Sequence, residues 1–183
     1  MGARDESYTY EKEVSAIMKR HFSMMAKYNH WANDRLYTMA ASLSDEAYRR
    51  NVGVFFKSLH GTLNHLLTTD RIWMHRLDGK GDHPDRLDAI VYDDLAQLRA
   101  ARDVEDERII QYVEALNDAD FDRLHEYRQL SGNPHVQPIG EILAHLFNHQ
   151  THHRGQAHSA LTILGMAEPR PLDLLAMQRR PGN

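Results

Sequence analysis

Apolar residues recur at spacings of three and four along four long stretches of the chain, the period of one face of an α-helix. The first stretch, residues 13–43, carries Met25, Tyr28, Ala32, Leu36, Met39 and Leu43, and Ser44-Asp45-Glu46 ends it. The second begins at Ser58, a residue type that caps helix N-termini. It holds Leu59, Leu63, Leu66, Trp73 and Leu77 on one side and stops at Gly79-Lys80-Gly81. A third, residues 93–116, turns Leu95, Leu98, Ile109, Val113 and Leu116 inward. The fourth starts at Pro138 or Ile139 and bears Ile139, Ile142, Leu146, Ala157, Ala160 and Leu164. Gly165 is well placed to close it.

Residues 123–138 link the third and fourth stretches. They hold Leu124, Tyr127 and Leu130 around Ser131-Gly132-Asn133-Pro134, which predicts a short hairpin or an ordered excursion. So long a connection allows its neighbouring helices to run parallel. The pattern predicts an all-α fold, a four-helix bundle, with this excursion between helices three and four. The expected organisation is a single domain over residues 1–183, with a polar lead-in at 1–12 and an extended tail at 168–183.

Charges interrupt the stripes. Asp70 lies nearly in line with Leu59, Leu66 and Trp73, and Arg102 and Asp106 sit on the third apolar face. Charges on apolar faces need partners. Two readings stand: Asp70 pairs across the bundle with Arg102 or Arg35, or it orients a metal-binding histidine.

The chain has no cysteine, which excludes disulfides, thiolate nucleophiles and Cys-ligated zinc. Histidine, aspartate and glutamate remain as strong ligands. A formal charge of −4, spread along the chain, gives no footprint for nucleic acid or an anionic membrane. No apolar run is long enough to span a bilayer and no secretory core opens the sequence, so the expected compartment is the cytoplasm.

The candidate chemistry lies in His145-Leu-Phe-Asn-His149-Gln-Thr-His152-His153-Arg154-Gly155-Gln156. His149 and His153 stand one helical turn apart, at the edge of the apolar stripe, and can hold one transition metal through neutral ring nitrogens. Among 13 histidines some clustering arises by chance, but a buried-edge pair requires partners for its ring nitrogens. The best third ligand is His65 in Thr62-Leu63-Asn64-His65-Leu66-Leu67, at the seam between the second helix and a neighbour. His145, His152 and Gln156 are supporting or packing groups. Arg154 is either a carboxylate anchor for substrate or a surface or interhelical partner.

Two segments carry a family resemblance. Phe55-Phe56-Lys57-Ser58-Leu59-His60-Gly61-Thr62-Leu63-Asn64-His65-Leu66-Leu67, followed by Asp70-Arg71-Ile72-Trp73, resembles the DinB family. So does Asn148-His149-Gln150-Thr151-His152-His153-Arg154-Gly155-Gln156, and the likeness runs from about residue 24 to 164. It implies a bundle of up-down-down-up order, often dimeric, with a divalent metal on His65, His149 and His153. It also implies thiol chemistry, since the wider superfamily includes thiol S-transferases and a thiol-dependent isomerase.

Three imidazoles leave positions on an ion open, the layout of a catalytic zinc-type site. The favoured expectation is a metal-dependent thiol S-transferase acting on small electrophiles, with an external thiol because the chain supplies none. The alternatives are a hydrolase using metal-activated water and a nonenzymatic metal-binding stress-response dimer. Zinc or nickel is the expected cofactor; imidazole also suits copper and iron, and manganese is a further option. The expected partners are a small thiol, an electrophile and a second copy of the chain.

Overall fold

The computed structural model describes the backbone of residues 6–180 and the side chains of residues 17–180. The expected lead-in at residues 1–5 and the tail end at 181–183 lie outside the described residues. The described chain is mostly helical: α1 (Glu6–Ala40), α2 (Asp45–Arg49), α3 (Leu59–Asp78), α4 (Leu95–Ala115), α5 (Ile139–Ile163) and α6 (Leu174–Gln178). A small antiparallel sheet, β1 (Leu124–Arg128) and β2 (Pro134–Pro138), completes it.

Local sequence sets most of the boundaries. The Ser58 hydroxyl accepts from the Gly61 amide at 3.1 Å and opens α3, and Gly79, at φ +70°, closes it in the left-handed conformation. Asp94 caps α4 through the Gln97 amide at 2.9 Å. The excursion is a hairpin, registered so that Tyr127 lies opposite His135 and Leu124 opposite Pro138.

Three expectations need correction. Residues 6–12, expected as lead-in, are helical and belong to α1. Ser44 does not merely end α1: its hydroxyl accepts from the Ala47 amide and starts α2, which buries Tyr48. The tail is not extended throughout, because Asp173 caps α6 and Met177 is buried against Tyr28 and Ala32.

The four long helices pack side by side, α1 against α4 and α5, and α3 against α4 and α5. Their contacts fix directions. His145 lies against Trp73, Gln150 against Asp70 and His153 beside His65, so α5 runs antiparallel to α3. Asp70 meets Arg102 and Asp78 meets Arg108, so α4 runs parallel to α3. Phe22 stacks near Phe147 and Asn29 contacts Arg154, which makes α1 and α5 parallel.

The core has two large clusters beside the small one around Met177. One cluster gathers Phe22, Met74, Ile109, Phe121 and Phe147, and the other Leu36, Leu63, Leu67, Leu98 and Leu161. A polar layer with a side chain from every long helix also lies inside the fold. Arg102 Nη1 is 2.7 Å from Asp70 Oδ2, and Arg102 Nη2 is 3.1 Å from Asp106 Oδ1. Asn29 and Asn33 donate to Asp106 at 2.9 and 3.0 Å. Gln150 donates to Asp70 at 2.6 Å, and Arg154 donates to Asn29. Two arginines and two aspartates balance in charge, the condition under which ions persist inside a protein.

Candidate metal centre

His65, His149 and His153 converge between α3 and α5. Each offers a ring nitrogen, and these nitrogens all lie within 4.8 Å of one another. His65 and His153 are buried and His149 is half-buried. Among the described residues this is the one trio of potential ligands drawn so close together, and no carboxylate belongs to it.

Hydrogen bonds decide which nitrogens face inward. Nδ1 of His65 lies 2.7 Å from the carbonyl oxygen of Leu87. A carbonyl only accepts, so Nδ1 carries the proton and Nε2 keeps its lone pair. That Nε2 lies 3.2 Å from Nε2 of His149. Two bare lone pairs at this separation repel; a shared cation removes the conflict, and without one a proton on His149 fills the gap. His153 is held similarly, with Nδ1 2.9 Å from Oε1 of Gln156. The nitrogen of the same amide lies 3.1 Å from Nε2 of His152. The amide therefore accepts from one imidazole and donates to the next, which leaves Nε2 of His153 free.

The rings stay neutral. Burial pushes His65 down to about 4, against the Leu87 hydrogen bond that favours its charged form. Burial, then the neighbouring His153, His65, His145 and His152, pushes His149 down to about 3. His153 is also lowered, by burial first. Neutral imidazoles with inward lone pairs are the donor set that a divalent transition ion requires. The residues present fit such an ion.

The walls come from segments distant in sequence. Phe56 stacks on His65, with ring centroids 3.7 Å apart and planes 20° from parallel, and its edge faces His153. Gly61 allows this approach: a Cβ there would run into the Phe56 carbonyl oxygen. The loop over His65 is tied down by Asn64, which accepts from the Val91 and Tyr92 amides at 2.9 and 3.0 Å and donates to the Tyr92 carbonyl.

The remaining singled-out residues fall into place. His145 is exposed, packs edge-on to Trp73 and sits 5.9 Å, ring to ring, from His149. Asp70 contacts Arg102 and Gln150, so the ion-pair reading holds with Arg102 as partner. Arg35 instead donates to the Pro171 carbonyl. Arg154 is buried with Asn29 and lies over the Tyr28 ring, which makes it an interhelical partner and keeps it from substrate. Sequence reasoning did not single out Phe56, Leu87 or Asn64 as parts of the site. Asn64 alone left a signal, an amide side chain between the apolar Leu63 and Leu66.

Comparison with known proteins settles the family, because the DinB family profile matches residues 18–180. The chain belongs to the DinB family. It is 24% identical over 151 residues to Protein DinB of Bacillus subtilis (strain 168), covering 77% of this chain and 84% of that protein. A crystal structure of a DinB-like protein from Bacillus cereus ATCC 10987 superposes with a TM-score of 0.56 at 21% identity. That match covers 73% of this chain and 86% of the other, and speaks to the fold. As a DinB family member the chain has a histidine cluster able to hold a metal ion. No helix of the described residues is long and apolar enough to cross a membrane.

Proposed function

We propose that this DinB family protein is a divalent-metal-dependent thiol S-transferase, with His65, His149 and His153 as the ligands and zinc or nickel as the ion. The observation that carries the reading is the pair of bare Nε2 atoms, with His65 fixed by the Leu87 carbonyl and His153 by Gln156. We read the four long helices as a four-helix bundle of up-down-down-up order, which their pairwise directions support. The working form is a cytoplasmic homodimer.

A divalent ion held by His65, His149 and His153 would supply Lewis acidity, favouring the thiolate form of an external thiol at neutral pH. The chain's own residues do the rest. Leu87 and Gln156 keep the ligand rings in the required tautomer. Phe56 covers one face of His65 and excludes water there. In the transfer a sulfur–carbon bond forms, the bond from carbon to the leaving group breaks, and the leaving group departs with the electron pair. The thiol proton passes to solvent.

Transfer to a thiol is favoured over hydrolysis because no carboxylate joins the trio as a general base, and Asp70 is committed to Arg102 and Gln150. The test presents the zinc-loaded and nickel-loaded protein with a chromogenic aryl halide and a panel of low-molecular-weight thiols. The expected result is thiol-dependent product that disappears in the His149→Ala/His153→Ala variant. Turnover without added thiol overturns the transferase reading in favour of hydrolysis. Bound metal with no product for any thiol leaves a metal-binding protein without turnover.

A further inference from the structure

A second pair of histidines, His75 and His83, repeats the orientation seen at the trio. His75 is in the last turn of α3, where Gly79 and Gly81, at φ +70° and +71°, turn the chain back on itself. The left-handed conformation at both positions favours glycine and brings two carbonyls over the helix end. Nδ1 of His75 lies 2.9 Å from the Gly81 carbonyl oxygen and 3.3 Å from that of Lys80. The same turn carries His83 onto His75, with ring centroids 4.3 Å apart and planes 45° from parallel. Nδ1 of His83 faces the Pro84 carbonyl oxygen at 3.0 Å.

Both Nδ1 atoms face groups that only accept, so each neutral ring holds its proton there and presents a bare Nε2. The ring separation is close to the 4.4 Å between His149 and His153. Both residues line a surface cavity of about 470 Å³, whose wall also carries Asp85, Arg76 and Arg128. His75 is half-buried and His83 exposed, so an ion arrives from solvent without opening the fold. His75 is ten positions beyond His65 on α3, roughly 15 Å along the axis at helical rise, which separates this pair from the trio.

We propose that His75 and His83 form a second transition-metal site, with water filling the remaining positions. Two imidazoles, one at the end of α3 and one on an exposed loop, hold zinc, nickel or copper more weakly than three drawn together in the bundle, since part of the binding energy goes into ordering the loop. Occupancy would clamp the turn after α3.

The test is a zinc titration of untagged protein by calorimetry. The wild-type chain should take one tight ion and a second with micromolar affinity. His149→Ala/His153→Ala should abolish the tight event and retain the weak one. His83→Gln, a change at an exposed loop position, should do the reverse and weaken the second event at least tenfold. Copper(II) bound to the His149→Ala/His153→Ala variant should show hyperfine coupling to two imidazole nitrogens, reduced to one by His83→Gln. A wild-type chain with no second saturable event below millimolar zinc overturns the proposal, as does a His83→Gln variant that titrates like wild type. A wild-type chain that lacks only the tight event would speak against the trio, so the two failures are distinguishable.

Discussion

Nδ1 of His65 points at the carbonyl oxygen of Leu87 from 2.7 Å, and this contact selects the ring nitrogen that faces His149. The acceptor belongs to the backbone of a loop, and Asn64, the residue before His65, pins that loop through Val91 and Tyr92. Adjacent residues on α3 thus divide the work: one presents a ligand nitrogen and the other holds the group that orients it.

Asn64→Ala should therefore weaken metal binding without touching a ligand. Loss of a group that orients a ligand typically costs about 10–100-fold in affinity. Chelator competition with the variant should show a loss in that range while the circular dichroism spectrum stays helical. Unchanged affinity would mean that the loop is held adequately without Asn64.

Proton release on metal binding gives a separate check. Three ordinary histidines, with pKa near 6.5, would give up about two protons when bound by metal at pH 6. Here burial lowers His65 to about 4 and His149 to about 3, and lowers His153 as well. At pH 6 His65 and His149 of the metal-free site are then already unprotonated, and their share of the affinity is lost only as pH falls through these lowered values. Calorimetry of the tight event in two buffers of different ionisation enthalpy should report release of less than about one proton at pH 6, against about two for ordinary histidines.

Asp70→Asn should lower stability and leave metal affinity unchanged. The carboxylate meets Arg102 and Gln150, both buried, and the substitution leaves the arginine with Asp106 as its remaining counter-ion. Breaking a buried pair costs about 3–5 kcal/mol. Urea denaturation should show that loss beside an unaltered metal titration; a drop in affinity instead would revive a ligand-orienting role for Asp70.

Gly61→Ala tests the Phe56 wall. The added methyl group meets the Phe56 carbonyl oxygen, so the turn carrying Phe56 has to move off His65. Overpacking of this kind costs about 1–3 kcal/mol, and the metal-free variant should melt earlier. Its His65 ring protons should also lose the upfield NMR shift that a stacked aromatic ring imposes.

What the sequence revealed follows the range of the interactions involved. The ends of α3 were legible because Ser58 and Gly79 act on their own neighbours, and His149 and His153 because one helical turn is a local distance. His65 could be placed at a seam from its angle on the stripe, since burial follows helical phase. The choice of Arg102 over Arg35 for Asp70 required knowing which helices adjoin. The Leu87 carbonyl left no trace, because every residue has one. α2 and α6, of five residues each, are too short to show periodicity, and Ser44 reads equally as the end of the helix before it. The described part of α1 reaches back to Glu6, through a stretch whose polar composition carries no stripe to read.

Elemental analysis of untagged protein, dialysed to remove weakly held ions, tests the central claim most directly. His65, His149 and His153 as a metal centre predict about one divalent transition ion per chain, absent from the His149→Ala/His153→Ala variant. No metal in the wild-type chain, even after incubation with zinc and nickel, would contradict the account and reduce the trio to packing histidines.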